Sequence, residues 1–225
     1  QFRFFEPDMD RQIQMRHLLL QDLRDAVQGG SLSLYYQPYV ESASGKVTGC
    51  EALLRWHHPV RGAISPAEFI PLAEESGLIL DMGRWVIDKA CEVVAGWPPG
   101  IRISVNVSPR QFKDRSLPAY IEDVVRRHRL APSRLEIEVT EAVLIDDAVT
   151  ATEVLRSIRD IGVKLALDDF GTGYSSLSYL RDFPFDKVKI DRSFVQDIES
   201  RRDSQVIVQA IQSIAKGLGM TMTAE

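Results

Sequence analysis

Short apolar runs alternate with longer stretches of helical periodicity along most of the chain. Runs such as residues 101–107 and 163–167 are rich in aliphatic side chains, which is typical of buried strands. Stretches such as residues 81–97 and 147–161 carry apolar side chains three and four positions apart, which predicts amphipathic helices. This alternation predicts an α/β fold in which helices cover a mostly parallel sheet.

The first part of the chain departs from this alternation. Residues 8–28 form a predicted helix that a Gly-Gly pair ends. Two strands follow at residues 31–40 and 47–54, and the Ser-Gly turn between them predicts an antiparallel pair. The other predicted elements are helices at 65–76, 117–128, 177–181 and 204–217 and strands at 134–139, 188–190 and 220–224.

Six of the predicted strands end in a side chain that can hold a divalent cation or a phosphate. Active sites of parallel α/β barrels are built at the carboxyl ends of strands. Asp, Glu and Asn oxygens suit a hard metal such as Mg²⁺ or Mn²⁺, so the pattern predicts an enzyme with metal-assisted phosphate chemistry. The strand-end residues are Glu51, Asn106, Glu138, Asp168 with Asp169, Lys189 and Glu225.

The spacing of these strand ends is typical of βα units of about 30 residues. Seven strands can be counted, whereas a closed parallel barrel normally has eight. We therefore expect a barrel whose last strand and helix are missing from this chain. The start without Met is expected of a piece of a larger protein.

The sharpest local motif is Asp168-Asp169-Phe170-Gly171-Thr172-Gly173, where an apolar strand ends in two acids and a Gly-rich turn. If the strand curls at its end, the two carboxylates can approach two metals from different sides. The alternative is a strand-end Asp that caps the next helix.

Acids on the other strands allow more than one interpretation. Glu51 has apolar neighbours, and burial of its carboxylate among them costs free energy unless it binds a metal or forms a salt bridge. Asn106 is a neutral oxygen ligand or a partner of the next loop's backbone. Glu138 lies on the same side of its strand as Glu136 and nearer the end, which makes it the better ligand. Glu141 falls in the following loop and could hold backbone amides.

Two cationic side chains accompany the acids. Arg55 stands where a loop should begin and suits either bidentate phosphate recognition or a salt bridge. Lys189 has apolar neighbours, so its ammonium needs anionic partners. It could stabilise phosphoryl charge, or it could pair with Asp186 or Asp191. Five clustered carboxylates would repel one another, and two divalent ions with Lys189 would balance them, which favours a metal pair.

Composition narrows the class of partner. The net charge of -5 and a pI near 5.5 argue against binding of DNA, RNA or an anionic membrane by the whole surface. Cys50 and Cys91 lie in apolar runs without zinc spacing, which predicts reduced packing residues and a cytoplasmic setting. His57-His58-Pro59 is typical of a turn rather than a metal site. No apolar run is long enough to span a membrane.

Together these residues resemble the EAL-domain family of bacterial cyclic di-GMP phosphodiesterases over about residues 31–225. Residues 1–30 resemble the connector that often follows a GGDEF domain. The matching segments are Tyr36-Gln37-Pro38, Glu51-Ala52-Leu53-Leu54-Arg55-Trp56, Asn106-Val107-Ser108, Glu138-Val139-Thr140-Glu141, Asp168-Asp169-Phe170-Gly171-Thr172-Gly173 and Asp186-Lys187-Val188-Lys189-Ile190-Asp191.

The resemblance implies a TIM-like barrel with one antiparallel strand. It implies that Lys189 and Glu51 are catalytic, with Lys189 beside the nucleophilic water. Gln37 would bind a guanine and Arg55 a substrate phosphate. Glu141 would steady the loop at residues 169–176, which in the family couples metal binding to dimer contacts. The implied metal ligands are Glu51, Asn106, Glu138, Asp168, Asp169 and Glu225.

The implied function is metal-dependent hydrolysis of cyclic di-GMP to linear pGpG in bacterial signal transduction. Two Mg²⁺ or Mn²⁺ ions per site would support this hydrolysis, and Ca²⁺ would inhibit it. A homodimer and an upstream GGDEF or sensory domain are expected, with membrane anchoring of the full-length protein left open. The alternatives are an inactive cyclic di-GMP receptor and a Mg²⁺ barrel enzyme acting on a carbon acid. The family continues past Glu225 with a Gly-Val-Glu segment, another strand and a helix.

Overall fold

The computed structural model describes residues 7–143, 147–171, 183 and 185–224, with side chains from residue 14 onward. These residues form the expected α/β fold: strands and helices alternate, and one sheet runs through the molecule. Residues 177–181, predicted as a helix, and Glu225, predicted as a metal ligand, lie outside the described residues. None of the described helices is both long and apolar enough to cross a membrane.

The sheet has eight strands in the order β1-β2-β4-β5-β6-β7-β8, with β3 paired to β2. β1 pairs with β2 in antiparallel fashion, as the turn predicts, and from β2 through β4 to β8 successive neighbours are parallel. This arrangement confirms a TIM-like fold in which one strand of the main path, β1, is antiparallel, and the short β3 also pairs with β2 in antiparallel fashion. The strands are β1 Leu32–Val40, β2 Val47–His58, β3 Gly62–Ile64, β4 Arg102–Asn106, β5 Leu135–Thr140, β6 Lys164–Phe170, β7 Lys187–Ile190 and β8 Thr221–Ala224.

Helices follow the strands and cover one side of the sheet. Helix α2 (Pro66–Ser76) begins with a proline directly after Ser65. Helix α6 (Ala148–Asp160) is capped by the side chain of Asp147, which accepts from the Thr150 N–H. The helices are α1 Pro7–Gly29, α2 Pro66–Ser76, α3 Ile79–Ala95, α4 Pro109–Phe112, α5 Leu117–Arg127, α6 Ala148–Asp160, α7 Arg192–Val195 and α8 Arg202–Gly217, with a 3₁₀ turn at Pro132–Arg134.

The main core lies between the sheet and the helices. On β5 the outward side chains of Leu135, Ile137 and Val139 join the apolar faces of α3, α5 and α6. A second buried cluster joins α1 to the molecule through Leu19 and Leu23. α1 therefore packs on the rest of the domain through these apolar side chains.

The end of β2 differs from the prediction. The strand continues four residues beyond Leu54 to His58, and β3 pairs with this extension. His58 acts in the turn: its Nδ1 accepts from the Val60 and Arg61 N–H groups, and its Nε2 lies 3.1 Å from Asp22 of α1. The polar residues near Pro59 are typical of a loop in sequence, but pairing with β1 and β3 keeps this segment in an extended strand.

Candidate active site

Three carboxylates meet on the inner side of the sheet. Glu138 and Asp168 lie near the carboxyl ends of β5 and β6, whereas Glu51 lies within β2, seven residues before that strand ends at His58. Glu51, Glu138 and Asp168 each offer an oxygen within 4.8 Å of the others. All three residues are buried, and Glu138 is fully inaccessible to solvent. We call these residues the acid cluster. Its buried oxygen donors could hold a divalent cation.

The ammonium of Lys189 lies against the acid cluster. Its Nζ is 2.8 Å from Glu138 Oε2, 3.1 Å from Asp168 Oδ2 and 3.3 Å from Glu51 Oε2. Burial acts to lower the pKa of Lys189, but the carboxylates of Glu138 and Asp168 outweigh it and raise this pKa above its usual value. Lys189 therefore carries a fixed positive charge at the carboxyl ends of the strands.

The acids that neighbour Lys189 along the chain have other partners. Asp186 lies 2.7 Å from the Lys164 ammonium and also accepts from the Leu165 N–H. Asp191 caps α7 by accepting from the Ser193 N–H at 2.9 Å. The ion pairs described for Lys189 are with the acid cluster, which favours the site interpretation of this residue over a local salt bridge.

Parallel pairing aligns the strand ends. Asn106 of β4 is the register partner of Glu138, and Thr140 of β5 is that of Asp168. The Asn106 amide donates to Glu51 Oε1 at 2.6 Å, so it joins the group. The sequence therefore predicts correctly that Glu51, Asn106, Glu138, Asp168 and Lys189 come together, while their binding of metal stays a prediction.

The strand that carries the two adjacent aspartates curls at its end. The pairing of β6 with β7 shifts register between Leu167 and Phe170, and Asp169 has a φ of 52°. This left-handed conformation is easier for Asp than for most residues. The Asp168 carboxylate turns into the cluster and accepts from the Asp169 N–H at 2.9 Å. Asp169 itself is half-buried and stands outside the three-carboxylate group.

Tyr39 of β1 is a site residue that the sequence analysis missed. Its hydroxyl lies 2.7 Å from Glu138 Oε1, 2.6 Å from Ser104 Oγ and 3.5 Å from Glu51 Oε2. Burial raises the pKa of Tyr39, and the Glu138 carboxylate raises it further, so the phenol stays protonated and can donate. Tyr39 thereby connects three strands beneath the acid cluster.

Gly49 of β2 explains how the Tyr39 side chain reaches these partners. The two residues are register partners in the β1–β2 hairpin. A Cβ at Gly49 would lie 3.0 Å from the Arg102 carbonyl oxygen and 3.4 Å from the Tyr39 ring. Without that Cβ, the ring can lie across β2 and bring its hydroxyl to β4 and β5. A Tyr facing a Gly across a predicted hairpin is the sequence signal that could have found it.

A buried ion pair lies below Tyr39. Lys187 of β7 binds Glu136 of β5, and its Nζ stands 4.7 Å from the centroid of the Tyr39 ring. Burial raises the pKa of Glu136, and the Lys187 ammonium partly offsets that effect. The inner side of the sheet thus carries a second charged layer deeper than the acid cluster.

The candidate substrate-binding residues lie on β1 and β2, the strands of the first hairpin. Gln37 of β1 is exposed and is the register partner of Glu51. The Arg55 guanidinium lies 5.7 Å from the ring centroid of Tyr35 and donates to the Leu54 carbonyl oxygen. Arg55 is half-exposed. Guanine and phosphate binding by these residues stays a prediction.

Glu141 is buried in the loop after β5. Its Oε1 accepts from the Gly171 N–H at 3.2 Å, which is the backbone contact that the sequence suggests. Gly171 directly follows β6, so Glu141 ties two neighbouring strand ends together. Residues 172–176 of the loop it was expected to steady lie outside the described residues.

Comparison with known proteins identifies the class. The sequence profile of the EAL domain matches residues 20–225, and the chain therefore belongs to the EAL domain family. It is 42% identical over 226 residues to the "Bifunctional diguanylate cyclase/cyclic di-GMP phosphodiesterase MucR" of Pseudomonas aeruginosa, covering 99% of this chain and 33% of that protein. It is 39% identical over 228 residues to the "Cyclic di-GMP phosphodiesterase PdeR" of Escherichia coli, covering 100% of this chain and 34% of that protein.

Solved structures that superpose on this chain support the same family assignment. The structure described as "PaMucR Phosphodiesterase, c-di-GMP complex" superposes with a TM-score of 0.87 at 41% identity, covering 92% of this chain and 85% of that one. The FimX EAL domain of Pseudomonas aeruginosa bound to c-di-GMP superposes with a TM-score of 0.84 at 25% identity, covering 92% and 84%. The chain spans about a third of the length of the two curated relatives named above.

Proposed function

We propose that this chain is a metal-dependent phosphodiesterase domain that hydrolyses cyclic di-GMP to linear pGpG. The observation that carries the proposal is the acid cluster around the Lys189 ammonium, which side chains of β2, β5, β6 and β7 form together. Relatives of 39% and 42% identity that are named cyclic di-GMP phosphodiesterases support the choice of substrate.

The residues of the acid cluster fit a hard divalent ion. Three carboxylates lie together in a buried setting beside the Lys189 ammonium, and their oxygens come within 4.8 Å of one another. All the donors are oxygens, as Mg²⁺ and Mn²⁺ prefer. When bound, such ions would lower the pKa of a water molecule and polarise the phosphoryl oxygens. We propose two ions per site, with Ca²⁺ as an inhibitor.

Each side chain has a distinct task in this proposal. The Lys189 ammonium holds positive charge where the phosphoryl group becomes more negative. Arg55 binds a phosphate at the mouth of the site, and Gln37 binds a guanine. Glu141 keeps the end of β6 in place through Gly171. The proposed ligands are Glu51, Asn106, Glu138, Asp168, Asp169 and Glu225.

The domain is proposed to work as part of a longer signalling protein. The greater length of MucR and PdeR supports an upstream GGDEF or sensory domain. A homodimer is part of the same proposal. The boundary between a connector at residues 1–30 and the catalytic domain at 31–225 stays a prediction, as does a cytoplasmic location.

Product analysis tests the proposal. The full-length protein would be incubated with cyclic di-GMP and Mg²⁺ or Mn²⁺, and the mixture would be separated by anion-exchange chromatography. We expect pGpG from the parent, no product after Glu51→Ala, and unchanged product after Glu92→Ala, an exposed position on α3. Tight binding of cyclic di-GMP without product would reject the enzyme and identify a receptor.

A further inference from the structure

We propose that Tyr39 is a positioning residue that holds the Glu138 carboxylate in its metal-binding orientation. The inference rests on the proposed function because it concerns the same acid cluster. A carboxylate can rotate, and a ligand that rotates binds a metal less tightly than one held by neighbouring hydrogen bonds.

The two oxygens of Glu138 have different partners. Oε2 lies 2.8 Å from the Lys189 ammonium, and Oε1 lies 2.7 Å from the Tyr39 hydroxyl. Tyr39 comes from β1 and Lys189 from β7, and these strands lie on opposite flanks of β5 in the strand order. The carboxylate is therefore restrained from two directions. Loss of either partner would allow Glu138 to turn.

The protons of this network can be assigned by counting donors. The Tyr39 hydroxyl has one proton and a carboxylate can only accept, so the proton points to Glu138 at 2.7 Å rather than to Glu51 at 3.5 Å. The Ser104 hydroxyl can then donate to the Tyr39 oxygen across 2.6 Å. Ser104 is buried, so its hydroxyl supports Tyr39 from below. The bond from Tyr39 to Glu138 ends on a carboxylate, and charge-assisted hydrogen bonds of this kind are strong.

The ring of Tyr39 is fixed as well as its hydroxyl. It crosses β2 at Gly49, where a Cβ would come within 3.4 Å of the ring, and it lies 4.7 Å from the Lys187 ammonium. Tyr39→Phe would keep these ring contacts and remove only the hydroxyl. Tyr36→Phe is the matched control, because the Tyr36 ring packs on Trp97 on the other side of the same strand.

Metal affinity is the decisive measurement. Mn²⁺ would be titrated into the full-length protein and followed by calorimetry and by electron paramagnetic resonance. We expect Tyr39→Phe to raise the Mn²⁺ dissociation constant by about 10- to 100-fold, the usual effect of losing an outer hydrogen bond to a metal ligand. Ser104→Ala should raise it less, and Tyr36→Phe should leave it unchanged. In the hydrolysis assay, excess Mn²⁺ should restore part of the activity of Tyr39→Phe.

Several results would overturn the inference. They are an unchanged Mn²⁺ affinity in folded Tyr39→Phe, an equal loss in Tyr36→Phe, or no saturable Mn²⁺ binding by the parent protein. If Tyr39→Phe proves unstable, the affinity of Ser104→Ala decides the question. A parent that binds Mn²⁺ but forms no pGpG would reject the proposed hydrolysis and leave the role of Tyr39 standing, since metal affinity is measured without substrate.

Discussion

Strand β5 has two sides that are equally buried and chemically opposite. Leu135, Ile137 and Val139 point outward to the helices, and each is at most 1% exposed. Glu136 and Glu138 point inward and are 2% and 0% exposed. Burial of the outward side chains stabilises the fold, whereas burial of a carboxylate costs free energy unless a cation or donor compensates it.

The comparison shows where stability and function are separated in this fold. An apolar pair of side chains would fill the inward positions at lower desolvation cost. The inward charges are instead matched individually: Lys187 faces Glu136, while Lys189 and Tyr39 face Glu138. We therefore expect outward substitutions to change the free energy of unfolding and substitutions near the strand ends to change activity.

The largest expected effect comes from Glu138→Gln. The substitution keeps the shape of the side chain and removes one negative charge from the acid cluster. Metal-assisted stabilisation of phosphoryl charge is worth several kcal/mol, and each 1.36 kcal/mol is tenfold in rate, so we expect kcat/KM to fall at least ~10³-fold. The midpoint of thermal unfolding should stay close to that of the parent, because Lys189 keeps its ion pairs with Glu51 and Asp168. A variant that keeps a tenth of the activity would contradict the assignment.

A smaller effect, on stability, is expected from the deeper inward layer. Lys187→Met leaves the Glu136 carboxylate without its cation in a buried position. Breaking such a pair costs about 3–5 kcal/mol, while replacing both members by apolar residues is often neutral or stabilising. Urea unfolding would compare Lys187→Met with the double variant Glu136→Leu/Lys187→Met. Equal destabilisation of both proteins would show that the pair has a different role.

Strand-end chemistry was predictable because it depends on local patterns. Each of these polar side chains lies at or near the end of a predicted strand. Parallel strands bring their carboxyl ends to one edge of the sheet, so Glu51, Asn106, Glu138 and Asp168 could be grouped from the sequence alone. The Ser-Gly turn is also a local pattern, and it predicts the antiparallel first hairpin. The fold class and the family assignment are confirmed by the sheet order and by the family match.

Contacts that depend on the register between paired strands could not be predicted from the sequence in this way. Tyr39 reaches Glu138 across two intervening strands, and only the pairing of β1 with β2 sets it opposite Gly49. β3 has three residues and exists because the extended end of β2 offers it a partner. Short strands of this kind have too few residues to carry a periodic signal.

The smallest expected effect tests the outward side of β5. Ile137→Val removes one methylene from a fully buried position and keeps the β-branched shape that suits a strand. We expect a loss of about 0.5–1.5 kcal/mol in the free energy of unfolding, measured in urea. Because Ile137 points away from the acid cluster, kcat/KM and Mn²⁺ affinity should equal those of the parent.

Ile207→Val is the matched control, since this α8 residue is 37% exposed and should change stability by less than about 0.5 kcal/mol. A tenfold loss of activity in Ile137→Val would mean that the outward packing positions the neighbouring glutamates, and the separation of the two sides would fail.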